Sequence, residues 1–133
     1  MKFQYTEKES SIFGKLLKPL IYFEVLSQKY DLWYGIDEAL VDTGADITLV
    51  PEHIGKVLVD DIKNGKKVKI KGISKGRLTV YIHDLKLKIS GVELVAPVAI
   101  ANTNDVPSVV GRKEMLDAFK VEFFKGKELS IEE

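Results

Sequence analysis

The sequence predicts a small, mainly β fold, a closed or sandwiched β structure with one or two short helices. Three observations lead there. Apolar residues recur at every second position through most of the chain, the period of a half-buried strand. The alternating runs are short and are separated by Gly, Asn, Ser and Pro turn signals. Only two short stretches carry apolar residues at helical spacing. The 133 residues suit one domain, residues 1–133, and suffice for a core without disulfide or metal staples.

Taken in order, Phe3 and Tyr5 mark a short strand, and Ser10, Ser11 and Gly14 a turn. Ile21, Phe23 and Val25 alternate with Tyr22, Glu24 and Leu26, which predicts a strand. Ser27-Gln28-Lys29 turns the chain into a second strand through Leu32, Tyr34 and Ile36 that ends at Ala39-Leu40-Val41. Pro51 suits the first position of a short helix with Ile54, Val57 and Leu58 on one face. Asn64-Gly65 is a turn.

Beyond it, Leu78, Val80 and Ile82 share one parity, and Leu85, Leu87 and Ile89 share the other. That flip predicts a bulge or bend at His83-Asp84. Ser90-Gly91 makes a turn before Leu94, Ala96, Val98 and Ile100, where Pro97 signals an edge or a bulge. A polar loop runs from Asn102 to Pro107. Met115, Leu116 and Phe119 predict a helix over 113–119. Val121 and Phe123, a Lys125-Gly126-Lys127 turn, then Leu129 and Ile131 predict a final hairpin.

Composition narrows the chemistry. The chain has no cysteine, which excludes disulfides, thiolate zinc sites, iron–sulfur clusters and a cysteine nucleophile. His53 and His83 lie far apart with no cysteine near either, so neither a metal nor a cofactor is expected. No apolar run is long enough to cross a membrane as a helix, and the opening MKFQYTEKES lacks the apolar core of a secretory signal. No membrane association and a cytoplasmic location are the expectations.

The formal net charge is 0, with 20 basic and 20 acidic residues, but the charge is uneven. No acidic residue stands between Ile62 and His83, where Lys63, Lys66, Lys67, Lys69, Lys71, Lys75 and Arg77 fall. Lys67, Lys69 and Lys71 alternate with Val68 and Ile70, as a strand with one wet face requires. No aromatic residue is interleaved between Ile62 and Val80 to stack on bases. The stretch is therefore read as a solvated face, and nucleic acid is not the expected partner.

One segment breaks the alternation. In ALVDTGADITLV, residues 39–50, an apolar strand runs straight into Asp42-Thr43-Gly44-Ala45-Asp46 and then resumes as Ile47-Thr48-Leu49-Val50. Polar residues between two core strands predict a tight turn inside the fold, although Asp and Gly also make ordinary surface turns. A second segment, Ser108-Val109-Val110-Gly111-Arg112, sets two β-branched residues before a glycine and an arginine. An arginine near a buried turn needs a carboxylate, and Asp46 is the expected partner of Arg112; the other reading is an exposed arginine at a helix start with no partner.

Together these segments resemble the retropepsin-like aspartic proteases, the family of the retroviral proteases and their cellular relatives. The resemblance runs from about Pro19 to Phe123. Lys18-Pro19-Leu20 and the strand after it look like the family's first long strand. Residues 39–50 look like its catalytic turn. Lys71-Gly72-Ile73-Ser74-Lys75-Gly76 sits where the family carries its flap tip, and Val109-Val110-Gly111-Arg112 with Met115-Leu116 resembles its Gly-Arg segment.

The resemblance implies a closed acid-protease-like β-barrel and an aspartic endopeptidase acting on peptide or protein substrates. It implies that Asp42 is catalytic and that Thr43 and Gly44 support the turn. Ala45, Asp46, Gly72, Ile73 and Ser74 would contact substrate, and Asp46 would also bind Arg112. The chemistry needs two carboxylates, one as base and one as acid. Asp-Thr-Gly occurs once, so the second must come from another copy across a two-fold axis. A homodimer is expected. The rival reading is a non-catalytic dimeric β module of the same fold that binds peptides or a protein partner. The chain departs from the retroviral members in a longer N-terminal segment through residue 18 and a continuation past Phe123. That continuation would let the final hairpin pair within its own subunit.

Overall fold

The computed structural model of the chain describes residues 1–71 and 76–133. It is mainly β. The strands are β1 (Lys2–Gln4), β2 (Thr6–Ser10), β3 (Gly14–Lys18), β4 (Leu20–Ser27), β5 (Leu32–Val41) and β6 (Thr48–Val50). Helix α1 (Glu52–Leu58) follows, then β7 (Lys66–Lys71), β8 (Arg77–Ile89), β9 (Val92–Ala101), β10 (Val109–Val110), β11 (Lys120–Phe124) and β12 (Glu128–Glu132). Short 3-10 turns occupy Ile62–Asn64 and Leu116–Ala118. No helix among the described residues is long and apolar enough to cross a membrane.

Six strands close a barrel in the order β4-β5-β10-β6-β9-β8, and β4 meets β8 to complete the ring through Glu24↔Lys88 and Val25↔Leu87. The core is the inward set of the alternating residues. Ile21, Phe23 and Val25 of β4, Leu85, Leu87 and Ile89 of β8, and Val98 and Ile100 of β9 are all buried. Each such side chain contributes about 1.5–3 kcal/mol by leaving water. Helix α1 plugs one end with Ile54 and Leu58, and Gly55 lies so close to Ile100 that a Cβ would stand 2.3 Å from its Cγ2. Pro51 precedes this helix as its cap rather than filling the first helical position.

The bulge lies in β5, not in β8. Strand β5 pairs with β4 as Ile21↔Ala39 and then Phe23↔Ile36, so Asp37 and Glu38 together face Tyr22. Glu38 takes a positive φ of 54°. The extra residue resets the alternation, so Ile36, Ala39 and Val41 are all buried. Strand β8, in contrast, pairs with β9 without interruption from Val80↔Ala101 to Ile89↔Val92, so the bulge expected as one possibility at His83-Asp84 does not form against β9. Its parity changes because its neighbours change. The first half pairs with β7, with Val68↔Val80 and Ile70↔Leu78 matching the apolar face of a projecting hairpin. The second half turns Leu85, Leu87 and Ile89 into the barrel. Pro97 stands just outside the stretch of β9 that β6 covers, Val98 to Ile100, so its missing N–H costs no ladder bond on that side.

The helix expected over 113–119 is replaced by turns and the 3-10 segment Leu116–Ala118. Glu114 has φ 56°, which breaks an α-helix, while Met115 and Leu116 are still buried. The final hairpin β11–β12 pairs within its own chain and takes β1 on its other edge, giving a three-stranded sheet β1-β12-β11. The strands on either side of Ser10 and Gly14 form a separate hairpin, β2–β3, which the alternation does not announce.

Candidate active site

The Asp42 turn is held by three strands. β10 lies parallel to β5, with Val109↔Leu40 and Val110↔Val41, and antiparallel to β6 through Val109↔Leu49. A two-residue strand between two others gives the turn its frame. The Asp42 N–H donates to the Val110 carbonyl at 3.1 Å, and the Ala45 N–H donates to the Asp42 carbonyl at 3.2 Å. The Gly44 N–H donates to Asp42 Oδ1 at 2.8 Å, which fixes the carboxylate against the turn's own backbone. A Cβ at Gly44 would stand 3.2 Å from that same oxygen, a tight contact that the carboxylate would relieve by a small shift. Asp42 is half-buried, while Thr43 and Gly44 are exposed at the tip.

The Gly-Arg segment grips the turn from behind. The Gly111 N–H donates to the buried Thr48 hydroxyl at 3.1 Å. The Arg112 N–H donates to the Ala45 carbonyl at 2.9 Å, and the Lys113 N–H to the Asp46 carbonyl at 2.8 Å. The two motifs singled out in the sequence are thus brought together, but through backbone. The expected side-chain ion pair between Asp46 and Arg112 does not form among the described residues. Arg112 Nε lies 3.2 Å from Asp117 Oδ1 instead, with both side chains about half exposed. The reason is local. Asp117 is five residues on in the same compact turn, and the exposed guanidinium has no burial cost that would demand Asp46.

Asp42 opens onto a cleft of about 690 Å3. Gly44, Ala45 and Asp46 line one wall, as expected, together with Ile47 and Leu49. The opposite side is made by the β7–β8 hairpin, through Ile70, Lys71, Gly76, Arg77 and Leu78. Gly72, Ile73 and Ser74 lie outside the described residues. The loop after β9 adds Thr103, Asp105, Val106 and Pro107. The alternation marked Ile70 and Leu78 as strand residues and the Asn102–Pro107 loop as polar, but only the folded chain places them around Asp42.

That loop is anchored to α1. The Glu52 N–H donates to the Thr103 carbonyl at 3.0 Å, and Asn104 Oδ1 accepts from the His53 N–H at 2.8 Å and meets His53 Nδ1 at 3.0 Å. His83 donates from Nε2 to the Ile62 carbonyl at 2.8 Å. Both histidines are therefore engaged in holding loops. On β7, Lys67, Lys69 and Lys71 are exposed while Val68 and Ile70 are half-buried, the solvated-face arrangement.

The sequence matches no protein-family model and no curated protein.

Proposed function

We propose that this chain is a retropepsin-like aspartic endopeptidase, active as a homodimer whose two Asp42 carboxylates meet at a two-fold axis. The observation that carries the reading is the Asp42-Thr43-Gly44 turn itself. A carboxylate is fixed by the Gly44 N–H at 2.8 Å in a cleft lined by apolar residues and by the described part of the β7–β8 strands. Asp42 needs a partner carboxylate, and the exposed Thr43 and Gly44 leave its side of the turn open to one.

In the dimer the two carboxyls share one proton, because two like charges in contact do not both ionise. The ionised Asp42 takes a proton from a water held between them. The water oxygen attacks the scissile carbonyl carbon, while the protonated Asp42 of the second copy donates to the carbonyl oxygen. The first Asp42, now protonated, gives that proton to the amide nitrogen while the second, now ionised, takes one from a hydroxyl of the tetrahedral gem-diol, and the C–N bond breaks. A carboxylic acid and an amine leave, and the dyad still holds one proton. The cleft needs no cofactor for this sequence. Ile47, Leu49, Ile70 and Leu78 supply apolar contacts for an extended peptide, and on this reading the exposed Thr43 links the two turns.

The test is a peptidase assay at mildly acidic pH with a mixed peptide library, run on the native chain and on Asp42→Asn. Cleavage by the native protein that disappears in the variant supports the proposal. Peptide binding without cleavage by either protein assigns the fold to a binding module.

A further inference from the structure

Hairpin β2–β3 is taken up by neither the barrel nor the terminal sheet, and its strands pair only with each other. A two-stranded ribbon alone is marginal in water. Its tip nevertheless carries Ile12 at 80% and Phe13 at 70% exposure, with Leu16 and Leu17 also exposed. The tip turn is well made. Ser10 Oγ accepts from the Ile12 and Phe13 N–H groups at 3.2 Å each, and Gly14 provides the positive φ of 74°. An ordered turn that presents two large apolar side chains to water marks a contact surface.

The root of this hairpin is held by the terminal sheet and by the end of β5 that leads into Asp42. The Tyr5 N–H donates to the Lys127 carbonyl at 2.8 Å, in the turn of the final hairpin. The Pro19 carbonyl accepts from the Val41 N–H at 3.0 Å, one residue before Asp42. Lys8 Nζ contacts Glu38, on the β5 bulge, at 2.6 Å. The hairpin therefore leaves the body between the terminal sheet and the Asp42 turn. Its five-residue strands reach about 17 Å at ~3.3 Å per residue.

We propose that β2–β3 is a dimerisation arm that lays Ile12 and Phe13 against a second copy of this chain. The inference rests on the aspartic peptidase reading, under which one chain holds half a site. A second copy is the occupant because the arm springs from beside the one residue that another copy must approach. Strand β12 has β1 and β11 on its edges, so a second copy could join that sheet only along the outer edge of β1 or β11. Two-fold symmetry lets each arm clasp the other subunit, doubling the apolar contact. The arm thereby sets how often two Asp42 residues meet, and activity depends on protein concentration through it.

The experiment measures the dimer dissociation constant by sedimentation equilibrium for the native chain, for Ile12→Ser with Phe13→Ser, and for a chain joining Thr6 to Lys18 by two glycines. Because the chain has no cysteine, Ser11→Cys accepts an environment-sensitive dye at the arm tip alone. Dimerisation weakened by roughly tenfold or more in both variants is the expected result, since truncated interface anchors cost that much, with an unchanged unfolding midpoint when all three proteins are diluted to monomer, where association no longer adds to stability. The dye should shift to the blue as native protein is concentrated. A native dimer whose constant is unaltered in both variants overturns the arm while leaving the peptidase reading intact. Variants that become monomeric in a protein that cleaves nothing uphold the arm and remove the peptidase. A native chain that stays monomeric, or a dye that shifts only with phospholipid vesicles or only with added peptide, overturns the arm and gives the tip another occupant.

Discussion

The Gly111 N–H and the Thr48 hydroxyl meet at 3.1 Å inside the barrel, tying the Gly-Arg segment to the strand that leaves the Asp42 turn. Thr48 is completely buried, so no water can replace it. Thr48→Val keeps the shape and strands a buried donor, an expected cost of about 1–3 kcal/mol. Gly111→Ala is expected to cost at least as much, because its Cβ would stand 2.4 Å from the Ile47 carbonyl carbon and oxygen and backbone would have to move. Urea unfolding of the two variants checks both values. Native stability in Gly111→Ala would contradict this packing.

Asp42→Asn should separate chemistry from fold. The amide oxygen can still accept from the Gly44 N–H, and Asp42 is only half-buried, so stability should stay within about 0.5 kcal/mol of native. Peptidase turnover should fall by roughly 10²–10⁴-fold, the usual contribution of a positioned acid–base group. Initial rates and thermal unfolding on the same preparations decide it.

Gly55→Ala sets two known effects against each other. Alanine in a helix gains about 1 kcal/mol over glycine. Here the added methyl meets Ile100 Cγ2 at 2.3 Å in a closed core, and overpacking costs about 1–3 kcal/mol. Net destabilisation is expected. Pairing the change with Ile100→Val should recover part of it, and a double-mutant cycle by denaturant unfolding reads that coupling.

The edge strand β11 gives a pH prediction. Glu122 accepts a hydrogen bond from Lys120 at 2.8 Å, which holds its carboxyl below the ordinary value of 4.5. Lys120 is raised in turn by the same bond. A carboxylate lowered on folding adds stability that is present above about 4.5 and is lost as pH falls through the folded value. Both groups are exposed to solvent, so the increment should vanish in 1 M salt, where screening acts over about 3 Å. An NMR titration of the Glu122 side chain at low and high salt checks the direction and the screening.

Much of the barrel is legible in the residues one by one. Ile21, Phe23 and Val25, or Leu85, Leu87 and Ile89, announce buried strand faces because alternation is a property of neighbours in sequence. The parity change between Ile36 and Ala39 becomes a bulge only through the pairing register. The similar change between Ile82 and Leu85 became a change of neighbours instead. Both look alike in one dimension, since alternation records which face is apolar and not which strand lies beside it.

Sequence alone determined the alternation, the turns at Asn64-Gly65, Ser90-Gly91 and Lys125-Gly126-Lys127, and the single Asp42-Thr43-Gly44 run between apolar strands. These depend on local backbone preference and on burial period. Tertiary structure decided the rest. It set Gly111 against Ile47, gave Arg112 to Asp117 rather than Asp46, placed Ile70, Leu78 and Val106 around Asp42, and left β2–β3 projecting beside the turn. Apart from the local Arg112–Asp117 pair, those outcomes depend on contacts between residues tens of positions apart, which the pairing of β10 with β5 and β6 and the closure of the barrel bring together.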